Sequence, residues 1–243
     1  MIKKNDIIFL IGVILLFLPF FISKEIYDYY FQFNKEHGLI TAFVKFAILA
    51  TIGDVIGLRI KTGSYFKNGY GILPRMIVWG ILGVTIKIAF IVFASGTPVF
   101  LESIGLENAQ LVMKGAFTPE KLLVAFCISV ALNLIYAPVM MTLHTITDMH
   151  IISNRGTLKG FFTPIKFRKL FVSLNWDVQW NFVFKKTIPL FWIPAHTITF
   201  LLPSDLRILF AALLGIALGT ILAIADLMGR NAEELNPEVG SLK

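Results

Sequence analysis

Charged side chains inside long apolar runs are the first candidates for chemistry in this sequence. Lys87 lies well inside one run, and Asp54 lies four residues before the end of another. A charge inside a bilayer is costly, so such residues commonly line a solute pathway or form an ion pair. Asp54 is therefore either a pathway carboxylate or an interfacial partner of Arg59 or Arg75. Lys87 either faces the interior, with Asp54 as its first candidate partner, or extends to the headgroup layer.

The segment 144–150 contains two histidines and an aspartate. On a helix His144 and Asp148 share a face, but His150 is rotated by about 200° from Asp148. The three side chains therefore do not converge on a helix, and we predict no metal site. His196, close to Pro194 in a proline-rich run, is more consistent with a polar interior than with catalysis.

No enzymatic motif accompanies these residues. The sequence contains no nucleotide-binding glycine loop, no serine-centred elbow and no HExxH metal motif. We therefore predict no catalytic residue and no cofactor. The polar side chains predicted to line a pore or a polar interior are Asp54, Lys87, Asn133, His144 and His196.

The composition indicates that these side chains are positioned by a bilayer-spanning bundle. Hydrophobic residues make up 56% of the 243 residues, charged residues 15%, and the mean hydropathy is +0.77. A soluble core cannot bury that much apolar surface, whereas helices of about 20 apolar residues can span a bilayer. The six apolar stretches are 7–22, 39–58, 77–94, 122–146, 188–202 and 206–228.

The distribution of basic residues predicts the orientation. With six crossings, about three times as many Lys and Arg residues fall on the side of the N-terminus as on the other side. Because basic loops stay in the cytoplasm, we predict an all-α polytopic bundle with both termini inside. The net charge of +7 thus reflects topology and not nucleic-acid binding.

We predict one transmembrane domain over residues 1–243. Residues 1–38 would form an additional N-terminal anchor helix and loop, 39–226 the main bundle, and 227–243 a cytoplasmic tail. The first stretch resembles a signal peptide, but it ends without a small-x-small cleavage site, so we expect it to be retained. The fifth stretch contains three prolines and is either kinked or re-entrant.

The long loop before the fifth stretch contains a possible interfacial helix. Phe167, Leu170, Phe171 and Leu174 follow helical spacing, and lysine and arginine occupy other faces. Such a helix would lie between the fourth and fifth spans, with its cations near anionic lipid of the inner leaflet. The alternative is an ordinary basic loop with scattered aromatic residues.

Small residues repeat every four positions along the last stretch. They are Ala211, Gly215, Gly219 and Ala223. Small side chains on one helix face let a second backbone approach closely, so we predict packing within the bundle, with homo-oligomerisation as the less favoured use. Gly53 and Gly57 form a shorter pair.

Two segments resemble the peroxisomal membrane protein family, which includes a mitochondrial inner-membrane protein. Residues 51–58 are similar to a glycine-aspartate motif of that family, and residues 192–207 are similar to its Trp-Pro and Pro-to-Arg signature. The resemblance covers residues 39–226, although Leu58 replaces a usual glutamine and the first helix is additional. It implies a small protein that forms a channel or modulates permeability. The residues it assigns to the motif are Gly53, Asp54, Arg75, Trp192, Phe200, Pro203 and Arg207.

Three functions remain open at this point. The first is a channel-like or transporter-like protein that affects permeability to an unidentified small solute or ion. The second is a non-conducting scaffold or assembly protein whose buried charges form structural ion pairs. The third is a lipid-modifying enzyme that uses Asp148, His150 and the basic loop. We expect a multi-pass protein of the cell membrane rather than of an organelle.

Overall fold

The structure, a computed structural model, describes the backbone of residues 3–235 and the side chains of residues 3–221. All regular secondary structure in these residues is helical. The chain divides into two compact units, the first ending at Thr41 and the second beginning at Ala42. Of the predicted tail 227–243, residues 227–235 continue the last helix, which ends at Leu235. Residues 236–243 and the side chain of Ala223 lie outside the described residues.

The first unit contains two helices. Helix α1 spans Lys4–Ile22 and has no buried residue, and α2 spans Lys24–Glu36. Ser23 separates them and caps α2 by accepting a hydrogen bond from the backbone N–H of Ile26 at 3.3 Å. The segment that becomes α2 was expected to be a loop. Its aromatic and charged residues instead form an amphipathic helix.

The second unit contains the bundle. Its long helices, the first of which begins in the first unit, are α3 (Gly38–Thr62), α4 (Ile72–Ser103), α6 (Pro119–Ile135), α7 (Ala137–Ser153), a π-helix (Gln179–Trp192), α11 (Ile193–Leu201) and α12 (Ser204–Leu235). The short connecting helices are α5 (Ala109–Val112), α8 (Leu158–Phe161), α9 (Phe167–Val172) and α10 (Trp176–Val178).

Among the described residues, four helices are long and apolar enough to cross a bilayer, namely α1, α3, α4 and the part of α12 up to Ile221. Helices α6 and α7 meet at Tyr136 with a bend of 43°, and they make a fifth crossing if the bent pair is one span. Pro138 explains the bend, since proline lacks the N–H that would continue the helix and clashes with the preceding turn. The chain thus has the helices of a multi-pass membrane protein.

Contacts along α4 show which helices pack against it. Trp79, near the start of α4, contacts Asp54 late in α3 and His144 in α7. Phe90, farther along α4, contacts His196 and Phe200 of α11. The proline-rich fifth stretch is helical, and the π-helix leads directly into α11.

Close helix contacts occur at glycines, and within the predicted stripe of α12 a Cβ on Gly219 would lie 3.6 Å from the carbonyl oxygen of Gly53. A Cβ on Gly53 would lie 2.9 Å from the Cα of Ile216, so α3 and α12 meet backbone to backbone there. A Cβ on Gly83 would lie even closer to its neighbours, at 2.7 Å from the carbonyl oxygen of Ala42 and in contact with Phe46. A Cβ on Gly215 would meet nothing within 4 Å. The closest neighbour of this part of α12 is therefore Gly53 of α3.

The loop between α7 and the π-helix forms three short helices. Helix α9 covers Phe167–Val172, which is part of the predicted interfacial helix. Phe167 and Phe171 are exposed, whereas Leu174 is buried, so only part of the predicted stripe faces outwards.

Candidate functional site: a cavity within the helix bundle

A cavity of about 270 Å³ lies among the helices of the second unit. It extends from Trp79 to Phe90 along α4, which corresponds to ~16 Å at 1.5 Å per residue. Most of its wall is apolar. The apolar and small lining residues include Phe46, Ala50, Ile86, Leu132, Ala137, Met140, Met141, Val183, Ala211, Gly215, Leu218 and Gly219.

A charged cluster borders one end of this cavity. One terminal nitrogen of Arg75, Nη1, donates to both carboxylate oxygens of Asp148 at 2.8 Å and lies 3.5 Å from Oδ2 of Asp54. Arg75 is only 5% exposed. A buried guanidinium is tolerated when opposite charges and hydrogen bonds replace its water shell. Asp54 itself is part of the cavity wall.

The loop before α4 closes over this cluster. The Tyr70 hydroxyl donates to the backbone carbonyl of Asp54 at 3.1 Å, and its ring lies 4.3 Å below the Arg75 guanidinium. Burial, with the nearby Asp54 carboxylate as the second cause, raises the pKa of the Tyr70 hydroxyl. A Cβ on Gly71 would lie 2.8 Å from the Cα of Gly156, so this loop meets the loop after α7 without intervening side chains.

An indole and an imidazole line the cavity beside the charges. Trp79 donates its ring N–H to Oδ2 of Asp54 at 2.8 Å and packs on His144 with ring centroids 4.3 Å apart. Nε2 of His144 lies 3.8 Å from Asp148 and has no hydrogen-bond partner among the described residues. Two carboxylates, one guanidinium and one imidazole thus surround this end.

A neutral polar cluster lies farther along the cavity. Nδ2 of Asn133 donates to the Ser129 carbonyl at 2.8 Å and lies 3.0 Å from Nδ1 of His196. The Ser129 hydroxyl donates to the Ile193 carbonyl at 2.7 Å, joining α6 to α11. Asn133 and Ser129 are fully buried. This network fixes the orientation of the His196 ring at the cavity wall.

Two further polar residues on the wall have unsatisfied donors. Nε2 of Gln179 and Nε1 of Trp192 are buried without a hydrogen-bond partner among the described residues. Gln179 is 5% exposed as a whole residue. A buried donor without an acceptor is destabilising, and in native proteins it commonly indicates bound water or a ligand.

Lys87 lies apart from the cavity lining. Lys45 is 7% exposed. The positive charge of Lys87 repels it, and the carboxylate of Asp205 attracts it. The expected pair of Lys87 with Asp54 does not form in the described structure, because Asp54 contacts Trp79 and Arg75 instead. Asp205 follows the fifth apolar stretch, so a search for carboxylates inside apolar runs overlooks it.

Three residues of the C-terminal motif, Phe200, Pro203 and Arg207, have a structural role. Pro203 separates α11 from α12. Arg207 donates to the carbonyls of Leu202 and Phe200 at 3.0 Å, which satisfies the end of α11. Phe200 is fully buried, and its ring packs on Phe90. These residues fix the turn between two bundle helices rather than the cavity chemistry.

The structure thus brings together four of the five residues predicted for a polar interior. Asp54, Asn133, His144 and His196 line the cavity, and Lys87 does not. His150 points away from His144, because its Nε2 bonds to the Phe161 carbonyl at 3.0 Å. No group of three metal-ligating side chains occurs in the part of the chain that the structure describes. Gln179 gave no sequence signal, since it lies in a loop-like polar segment.

Comparisons with known proteins give no relative. No family model, curated protein or solved structure matches this chain. The cavity and the charged groups around it are therefore the basis for assigning a function.

Proposed function

We propose that this protein is a channel-like or carrier-like membrane protein that moves a small solute through the cavity of its helix bundle. The cavity is the observation that supports this proposal. Protein interiors are normally packed to the density of organic crystals, with few voids larger than a water molecule. A cavity of about 270 Å³ that is lined by Asp54, Asn133, His144 and His196 departs from such packing. Ligand sites are typically apolar cavities with a few convergent polar groups.

We propose six crossings with both termini in the cytoplasm. The π-helix and α11 run without a break from Gln179 to Leu201, which adds a sixth pass to α1, α3, α4, α6–α7 and α12. The segments 59–75 and 154–175 then lie on the same side, with four and five Lys and Arg residues respectively. Basic loops favour the cytoplasm, and the cell membrane is the proposed location.

Anionic lipid of the inner leaflet is a proposed partner of the segment between α7 and the π-helix. Phe162, Phe167 and Trp176 are exposed there beside basic residues. Aromatic rings suit the headgroup layer, and lysine and arginine are attracted to anionic lipid. The small residues of α12 give no support to a homo-oligomer, because Ala211, Gly215 and Gly219 line the cavity inside the bundle.

Kinship with the peroxisomal membrane protein family is likewise a proposal, supported by the two motifs. In this chain Gly53 makes the close approach to α12, Asp54 lines the cavity, and Arg207 caps α11. A channel-forming or permeability-modulating role agrees with the cavity.

A non-conducting scaffold is the second candidate, and the ion pair of Arg75 with Asp148 favours it. Both groups are satisfied inside the bundle, as expected for a structural pair. The unsatisfied donors of Gln179 and Trp192 are not explained by this function. The enzymatic alternative receives no support from His150, which is 3% exposed and hydrogen-bonded.

Uptake into proteoliposomes tests the proposal. Vesicles with the purified full chain are compared with protein-free vesicles for entry of radiolabelled urea, glycerol, acetate, methylammonium and sucrose. We expect at least one of the smaller solutes to enter several-fold faster with protein, while sucrose is excluded. Equal entry of every solute with and without protein would contradict transport and favour the scaffold.

A further inference from the structure

The charged end of the cavity has one more negative charge than positive charge. Asp54 and Asp148 provide two carboxylates, and Arg75 is the guanidinium in contact with both. Arg75 lies at 2.8 Å from both oxygens of Asp148 but at 3.5 Å from Asp54. The guanidinium is thus committed mainly to Asp148, and Asp54 lacks a full counter-charge.

Asp54 is part of the cavity wall. Its Oδ2 accepts the hydrogen bond from Trp79, and its Oδ1 has no hydrogen-bond partner among the described residues. A carboxylate on the wall of an apolar cavity is unfavourable unless it meets a cation or a proton.

A second observation points to a ligand in the same cavity. The side-chain amide of Gln179 lines the cavity, is 5% exposed, and has an unpartnered nitrogen. An amide provides both a donor and an acceptor, and the two are exchanged by a half turn of the group. Gln179 can thus accept from an ammonium or donate to a ligand hydroxyl.

The aromatic residues of the wall fit the same ligand. Their ring faces carry negative quadrupole charge and attract organic cations in water-poor sites. The aromatic lining residues are Phe46, Trp79, Phe90, Tyr136 and Trp192. An apolar body would pack against the aliphatic and methionine side chains of the remaining wall.

We propose that the cavity binds a small organic ammonium ion with an apolar body, whose positive charge contacts Asp54. This inference rests on the proposed function, because it names the class of solute. Anions are disfavoured by the excess carboxylate. The titratable and charged groups at this end are Asp54, Asp148, Arg75, His144 and Tyr70.

Direct binding to the detergent-solubilised full chain tests the inference separately from transport. Calorimetry compares 2-phenylethylammonium and tetraethylammonium with the uncharged 2-phenylethanol. We expect at least one of the two ammonium ions to bind tenfold or more tightly than the alcohol. Asp54→Asn should reduce that preference to less than twofold, and Asp54→Glu should restore part of it. Asp28→Asn, which removes an exposed carboxylate of α2, is the matched control and should leave binding unchanged.

Each result bears on one claim. A preference that survives in folded Asp54→Asn, or equal binding of ammonium and alcohol, or binding of neither ammonium ion, overturns the inference. If other solutes cross the vesicle membrane without an ammonium preference, the proposed function stands and this inference fails. Ammonium binding that depends on Asp54 without any transport supports the site and contradicts the proposed function. If Asp54→Asn does not fold, Asp54→Glu decides, and a preference for ammonium unchanged from that of the wild type then overturns the inference.

Discussion

Arg75 is the side chain on which the charged end of the cavity depends. It binds Asp148, approaches Asp54, donates from Nε to the Tyr70 carbonyl, and lies over the Tyr70 ring. The α4 helix carries it from the loop side into the bundle. Removing the guanidinium leaves two carboxylates facing each other with little water.

Arg75→Gln should therefore destabilise the protein strongly. Loss of one partner of a buried ion pair costs about 3–5 kcal/mol, because the remaining charge is uncompensated. Adding Asp148→Asn should recover at least ~1 kcal/mol, since it removes the orphaned charge. Denaturant unfolding in mixed micelles measures both effects.

The control for Arg75→Gln is Lys24→Gln, which removes an exposed pair with Asp28. Such a surface pair is worth less than about 1 kcal/mol. Equal losses for the two single variants, or strict additivity of Arg75→Gln with Asp148→Asn, would show that the buried cluster is not an energetic unit.

Individual residues were predictable where a charge interrupts an apolar run. The sequence offered Arg75 as a partner of Asp54, and the structure shows them 3.5 Å apart. Asp148 was missed as their neighbour because it lies 73 positions from Arg75, and sequence spacing does not report contacts between distant helices. The pairing of Lys87 with Asp54 was wrong for the same reason.

Gly53 determines how closely α3 and α12 approach. Gly53→Ala would place a methyl group 2.9 Å from the Cα of Ile216, and backbone cannot move aside as a flexible side chain can. We expect a loss of about 1–3 kcal/mol in unfolding free energy, as for other overpacked substitutions. Thermal denaturation in detergent measures the loss of stability of Gly53→Ala relative to the wild type.

Gly96→Ala in α4 is the matched control for Gly53→Ala, because its Cβ would meet nothing within 4 Å. It should be neutral or slightly stabilising, since alanine is the better helix former. If both variants unfold at the same temperature, the close contact of α3 with α12 does not exist in the membrane protein.

Helices were predictable as apolar stretches, but their irregularities were not. All six apolar stretches are helical in the structure. The bend between α6 and α7 was missed, although Pro138 was visible, because proline in a membrane helix produces either a kink or a small adjustment, depending on neighbours. The π-helix from Gln179 to Trp192 has no recognisable sequence pattern, since π-helices are rare and depend on local packing.

The basic loops predict which side of the membrane each connection lies on. In a Cys127→Ser background, a cysteine introduced by Ser64→Cys should react with a membrane-impermeant maleimide only after the cells are permeabilised. A cysteine introduced by Lys114→Cys should react in intact cells, because residue 114 lies between α4 and α6, on the predicted outer side. The reverse pattern would invert the bundle, and labelling of both from outside would exclude six alternating crossings.

Solute entry through the bundle cavity is tested most directly by closing the cavity without disturbing the lipid-facing surface. Gly215→Phe places a ring in the cavity, where a Cβ meets no atom within 4 Å, and Ala217→Phe places the same ring on the exposed face of α12. Uptake into proteoliposomes of whichever solute the wild-type chain admits should fall at least tenfold for Gly215→Phe and stay within twofold for Ala217→Phe. Equal uptake by the two variants, with both folded, would contradict passage through this cavity.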